Sequence, residues 1–301
     1  NYFPKFENDK IFKEDKGYII GLDGVILNLQ YLKNSYGISD YFSLISTLFK
    51  RYSIHFVSEL KGEFNGFIFD KNSSELFFFN NKTATKQIFY ASFEGYTIIS
   101  QSISSIVTFK ERLKVSSHLS VNGVYSMLTF GAMIESETLV QGITKLLGGK
   151  YVFFKKSKLL EKEYFSFNNV EYTINSKKQA IERIDETIIE AIKLEYDKDI
   201  AYNYNHLATL SGGLDSRVNV MIAHKLGHKS KTFCFSEPNY LDATISKKIA
   251  SLREFRQKFE EGRFKNLQEA FGGIKEIKIF KKEKFFLNNY LFFSKNISKI
   301  F

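Results

Sequence analysis

The sequence predicts a strand-rich α+β domain over residues 1–167, an α/β domain over 168–250 and a helical segment over 251–301. Three observations predict it. Short β-prone runs punctuated by turn residues fill residues 17–110. A strand, a glycine loop, a helix, a strand and a second helix follow one another over residues 206–252, the order of a parallel βαβ unit. Beyond Ser251 that punctuation stops, and twelve Lys or Arg against six Asp or Glu place +6 of the chain's net charge of +10 there.

In chain order, the first strand expected is Gly17-Tyr18-Ile19-Ile20. Asp40 to Tyr52 has helical spacing, with Phe42, Ile45, Leu48 and Phe49 on one side. Strands follow at Phe64 to Phe69, Leu76 to Phe79, Ile88 to Ala91 and Thr97 to Ile99. Asp70 to Ser73, Asn80 to Lys82 and Glu94-Gly95 separate them as turns. Residues 118–131 read as a short helix, and Tyr151 to Lys155 with Lys158 to Tyr164 as a strand pair after Gly148-Gly149. The polar residues 168–177 read as a linker. Ser176 then opens a helix, with Gln179 as its capping-box partner and an apolar stripe of Ile181, Ile184, Ile188, Ala191 and Ile192. His206 to Leu210 is a buried strand in this reading, Val218 to Leu226 a helix closed by Gly227, Ser230 to Phe235 a strand and Asp242 to Leu252 a helix.

Composition narrows the function. The 301 residues, 44% apolar and 25% charged, are ordinary for a globular chain. The 32 Phe, 17 Tyr, two Pro and absent Trp, with abundant Lys, Asn and Ile, have the look of an AT-rich coding sequence. The basic balance is therefore read as surface lysine, and no nucleic-acid partner is expected. A single cysteine, Cys234, excludes an internal disulfide and a cysteine metal site and fits a reducing cytoplasm. No apolar run reaches the roughly 18 residues that would span a bilayer. His224 and His228 are four apart, but Gly227 ends the helix between them, and no metal site is assigned. Leu76-Phe77-Phe78-Phe79 reads as core strand, not as a binding box.

The loop Ser211-Gly212-Gly213-Leu214-Asp215-Ser216 carries chemistry. A strand delivers it onto a helix N-terminus, where unpaired amides form an anion site. The glycines admit positive φ and close backbone approach to a ligand. Ser211 and Ser216 add hydroxyl donors. Asp215 either holds the loop or reaches Mg²⁺, and Arg217 either adds charge to phosphate oxygens or is simply solvated. No Gly-Lys-Ser/Thr ends the loop, so a lysine tracking a transferred γ-phosphate is missing. That suits chemistry in which pyrophosphate leaves and AMP is attached to the substrate.

On this loop the sequence resembles the glutamine-hydrolysing asparagine synthetase family, in which SGGLDS grips the pyrophosphate of ATP. Lys231 to Phe235 and the helix from Leu241-Asp242 to Ala250 are similar to that family's second strand and helix. Leu60-Lys61-Gly62-Glu63-Phe64-Asn65-Gly66-Phe67-Ile68-Phe69-Asp70 is similar to its glutaminase-domain strand. Leu139 to Leu146, with Tyr164, resembles the segment joining its two domains. The resemblance, over roughly residues 17–250, implies an α+β glutaminase-like (Ntn-type) sandwich followed by a truncated α/β adenine-nucleotide PP-loop domain and a C-terminal helical segment. It implies ATP and Mg²⁺ as cofactors and a small carboxylate as substrate. The carboxylate is activated as an acyl-adenylate, which ammonia from glutamine, or another amine, then attacks.

Departures from the pattern imply impaired activity. The family's glutaminase uses an N-terminal cysteine; Asn1 is not that residue and Cys234 lies in the other domain. Asp23-Gly24 stands where the family has the Asn-Gly of its oxyanion hole, and a carboxylate there is expected to repel an oxyanion. Asn80-Asn81 through Tyr90 loses the charged and proline positions of the corresponding stretch. Glutamine hydrolysis is not expected, and no catalytic residue is assigned.

Residues 251–301 lack the family's second phosphate motif. Arg253 to Lys278, with Glu-Ala-Phe-Gly-Gly-Ile-Lys-Glu-Ile-Lys at 269–278 and continuing toward Glu283 and Phe286, resembles the cytoplasmic helices of an ABC exporter. That resemblance implies a membrane-protein context and a fusion near Ala250. The alternative reading is a non-catalytic nucleotide-binding protein or fusion remnant.

Overall fold

The computed structural model describes residues 6–155, 158–167, 174, 176–237 and 239–252. The chain divides into two compact units between Thr173 and Ile174.

The first unit contains strands β1 (Ile11–Glu14) and β2 (Tyr18–Ile26), helices α1 (Leu29–Tyr36) and α2 (Tyr41–Tyr52), and strands β3 (Gly62–Asp70), β4 (Glu75–Asn80), β5 (Phe89–Phe93) and β6 (Tyr96–Ser100). Helices α3 (Ile103–Arg112) and α4 (Val121–Phe130) and strands β7 (Thr144–Lys145), β8 (Lys150–Lys155) and β9 (Lys158–Glu163) complete it. An antiparallel sheet of order β1-β2-β3-β4-β8-β9 and a three-stranded sheet of order β6-β5-β7 form from these strands.

Side-chain alternation assigns each face of the large sheet. Ile20, Leu22, Phe64, Ile68, Phe77 and Phe79 point to one face and pack with Leu44, Ile45, Leu48 and Phe49 of α2. Aromatic edges join them: Phe56 meets Phe79 at 5.5 Å and Phe49 at 6.2 Å. The opposite face is covered by the small sheet, where Ile88, Leu146 and Val152 cluster with Phe78, Tyr90 and Ile99. Ile106 of α3 closes the far side of the small sheet against Phe89 and Ala91. The layers run helix, sheet, sheet, helix.

Local signals set the helix starts. Asp40 caps α2 by accepting the Ser43 N–H at 2.8 Å, and Ser120 caps α4 through the Gly123 N–H at 3.1 Å. Strands β1 and β7 and helices α1 and α3 have no counterpart among the elements expected from the sequence. β1 shows one buried residue in four, too little alternation to reveal it. α1 and α3 are short, at eight and ten residues, and α3 places only Ile106 and Lys110 in the interior. The run 76–79 divides: Phe77 and Phe79 are core, whereas Phe78 faces the small sheet.

The second unit contains α5 (Lys177–Ala201), β10 (His206–Thr209), α6 (Leu214–Lys225), β11 (Ser230–Phe233) and α7 (Leu241–Leu252). β10 and β11 pair in parallel, with His206 opposite Ser230. Ser176 caps α5 through the Gln179 N–H at 3.1 Å. Only the C-terminal half of the anticipated stripe on α5 is packed. Ile188, Ile192 and Tyr196 meet Ala223, Ile222 and Leu226, while Ile181 and Ile184 stay exposed. The partner, α6, is twelve residues long and cannot cover a 25-residue helix. β10 is likewise not the buried strand expected, since Leu207 is 64% exposed and only Leu210, just beyond it, is buried. Among the described residues the parallel sheet has two strands, which leaves an open face. The linker and the exporter-like stretch from Arg253 onward lie, wholly or largely, outside the described residues.

Candidate functional site

The glycine loop stands where its sequence context placed it, between β10 and α6 at the carboxyl end of the parallel pair. The helix starts four residues earlier than Val218, so Leu214, Asp215 and Ser216 form its first turn. Ser211 and Ser216 bind each other, Oγ to Oγ at 2.9 Å, and Ser216 Oγ also accepts the Ser211 N–H at 3.0 Å. Ser211 Oγ accepts the Gly213 N–H at 3.2 Å. Arg217 turns back on the loop, its Nε donating to the Gly213 carbonyl at 3.1 Å.

Two expectations about the glycines change. Neither Gly212 nor Gly213 has positive φ; Gly213, the N-cap of α6, sits at φ −72°. Gly212 permits a close approach instead: a Cβ on it would lie 2.5 Å from Asp242 Oδ1 and 3.3 Å from Ile245 Cδ1 of α7. The Gly212 N–H is already donated to Asp242 Oδ1 at 2.9 Å. Its amide therefore holds an internal carboxylate.

What the loop offers an anion is the start of α6. Gly213 supplies no side-chain cap, and the first-turn N–H groups of a helix have no intrahelical acceptor. These amides, the two serine hydroxyls and the positive end of the helix dipole fit a phosphate group. Asp215, on the exposed first turn, fits the one-or-two-carboxylate pattern by which proteins hold Mg²⁺ bound to phosphates.

The first unit holds a second cluster that sequence reading only half located. Asp23 on β2 lies beside Lys10, Oδ1 to Nζ 3.2 Å, and accepts a short hydrogen bond from Lys86. Burial pushes the Asp23 carboxyl up, but the Lys86 hydrogen bond and charge, with those of Lys10, outweigh it and hold the group below the ordinary carboxylate range. At the position where oxyanion repulsion is expected, the Asp23 carboxylate is thus flanked by the ammonium groups of Lys10 and Lys86. Neither lysine carried a spacing that linked it to Asp23. Asn81, in the stretch that lost its charges, organises the turn before β5. Its Nδ2 donates to Gly62 O, Thr83 Oγ1 and Thr85 Oγ1, and its Oδ1 accepts the Thr85 N–H. Cys234 is buried, and burial raises its thiol pKa. No helix among the described residues is long and apolar enough to cross a membrane.

A family model described as a glutamine amidotransferase domain matches residues 7–165. Amidase chyE of Penicillium rubens is 25% identical over 200 residues, covering 63% of this chain and 28% of its own length. A putative glutamine-hydrolysing asparagine synthetase of Methanocaldococcus jannaschii is 23% identical over 236 residues, covering 77% of this chain and 44% of its own. The chain thus spans less than half the length of either relative. Among solved structures, the Bacillus subtilis glutamine phosphoribosylpyrophosphate amidotransferase complexed with ADP and GMP aligns at 10% identity and a TM-score of 0.35. That alignment covers 74% of this chain and 47% of that one.

Proposed function

The chain belongs to the glutamine amidotransferase domain family over residues 7–165, and from that premise we propose that it is an ATP-dependent amidotransferase or ligase of the asparagine synthetase type. The observation that carries the proposal is the α6 N-terminus, uncapped by any side chain and flanked by Ser211 and Ser216 at the carboxyl end of β10. The likeness to the Methanocaldococcus protein supports it, because that alignment is longer than the family match.

In this reading Ser211, Gly212, Gly213, Leu214, Asp215 and Ser216 form the ATP site. The first-turn amides and serine hydroxyls hold the pyrophosphate portion, and Asp215 orients Mg²⁺. ATP, when bound, supplies an adenylyl group to a small carboxylate and releases pyrophosphate. An amine then displaces AMP to leave an amide. The geometry of this chain contributes positioning and charge stabilisation, the two effects that dominate such transfers.

Exchange of labelled pyrophosphate into ATP in the presence of aspartate and other small carboxylates tests the reading. Carboxylate-dependent exchange supports it; no exchange together with no ATP binding by calorimetry removes it. A second reading, a non-catalytic nucleotide-binding protein or fusion remnant, is favoured by one contact, the Asp242 carboxylate on the Gly212 amide. ATP binding without exchange is its signature.

A further inference from the structure

Helix α4 turns an apolar stripe to solvent. Val121, Tyr125 and Leu128 are spaced i, i+4 and i+7, share one face and are 67%, 67% and 79% exposed. Gly123, the one buried residue of α4, lies on the opposite side, where a Cβ would meet the Thr138 carbonyl oxygen at 2.3 Å. The helix thus approaches its own domain most closely through a glycine and carries its bulkiest side chains outward. Surface helices ordinarily lay the apolar stripe on the core.

Local interactions give this helix little support. Its ten residues hold no charged side chain, so no i,i+4 ion pair forms, and Val, Asn, Gly, Tyr and Thr are weak helix formers. A helix of this length depends on packing.

The charge pattern points to the occupant. The chain holds 43 Lys and Arg and a net charge of +10, yet residues 115–144 contain neither Lys nor Arg. Two copies repel each other wherever lysines crowd their surfaces. Along α4 they meet without burying an ammonium group. An acidic partner or an anionic lipid surface finds no cation on the stripe, and Glu135 and Glu137 just beyond the helix oppose both. The stripe is also self-complementary: in an antiparallel pair about a two-fold axis, Tyr125 meets its own copy and the small Val121 faces the larger Leu128. The three side chains offer on the order of 400 Å² per copy, the low end for a specific contact.

We propose that α4 is the contact of a weak, reversible homodimer, packed stripe to stripe against α4 of a second copy. The proposal is independent of the ATP reading.

Sedimentation velocity on the full chain, from about 1 to 300 µM, tests it. The sedimentation coefficient is expected to rise from a monomer's to a dimer's with a Kd of about 10–100 µM, as fits so small an interface. Leu128→Lys sets an ammonium group at the apolar contact in both copies and weakens association by about tenfold or more. Tyr125→Lys does the same, so the reading survives if one variant fails to fold. Tyr31→Lys, on a 69% exposed tyrosine of α1, leaves association unchanged. Raising salt from about 0.05 to 0.5 M screens the repulsion between two basic chains and tightens the dimer. A monomer at every concentration, as any other cover for the stripe would give, overturns the proposal. So does a dimer that both stripe variants leave intact, or one that added salt dissolves, since ion pairs would then be holding it.

Discussion

Asp242 Oδ1 accepts the Gly212 N–H at 2.9 Å, so the first residue pair of the glycine loop is bridged to α7 by a carboxylate, the same charge type a phosphate would bring. A nucleotide using that amide has to displace Asp242. Asp242→Ala removes the internal competitor, and a hydrogen bond to a charged group is worth about 1.5–3 kcal/mol. Calorimetric affinity for ATP–Mg²⁺ is therefore expected to rise by about tenfold or more in this variant. Unchanged or weaker binding would show that the carboxylate does not compete.

Gly212 and Asp242 are also coupled sterically. A methyl group on Gly212 falls 2.5 Å from Asp242 Oδ1, so the carboxylate has to turn away and give up its hydrogen bond to the Gly212 N–H. Gly212→Ala is expected to cost about 1–3 kcal/mol. Asp242→Ala in the same chain removes the clashing oxygen and is expected to recover part of that loss. Thermal unfolding of the four members of this cycle measures the coupling, and strict additivity would contradict the contact.

The large sheet and α2 hold the first unit together. Leu48 is fully buried in that cluster, and Leu48→Ala is expected to lower stability by about 2–5 kcal/mol. Leu128 of α4 is 79% exposed, so its replacement by Ala should stay within about 0.5 kcal/mol. Urea unfolding followed by circular dichroism separates the two, and similar losses would argue against the layered core.

Asp23 gives the first unit an acid-sensitive contribution. Its folded pKa lies below the ordinary carboxylate value, so the native state favours the ionised form more than the unfolded chain does. The contribution is fully present above the unfolded value and is lost as pH falls through the folded one. Replacing Lys86 by Met weakens the main stabilising partner. The stability difference between the original chain and this variant should therefore be constant near neutrality and shrink below pH of about 4. A gap that widens on acidification would contradict the sign.

Some of this molecule could be read directly from residues. The SGGLDS string with strand and helix signals on either side located the βα turn, and Ser176 with Gln179 located the start of α5, because these features act through neighbours a few residues away. Apart from β1, the strand positions in the large sheet followed from short β-prone runs separated by turn residues. Its six-strand order did not, since pairing β4 with β8 joins residues more than 70 positions apart.

The sequence by itself determined the βα loop and a glutaminase-type first domain, consistent with the glutamine amidotransferase domain matched over residues 7–165. Only the tertiary structure decided how the functional groups are used. It gave the Gly212 amide to Asp242, surrounded Asp23 with Lys10 and Lys86, and turned Phe78 away from the core while Phe77 and Phe79 stayed in it. The physical reason is the same in each case. A charge or a face is defined by what lies within a few ångströms, and in a layered sheet those neighbours come from distant parts of the chain.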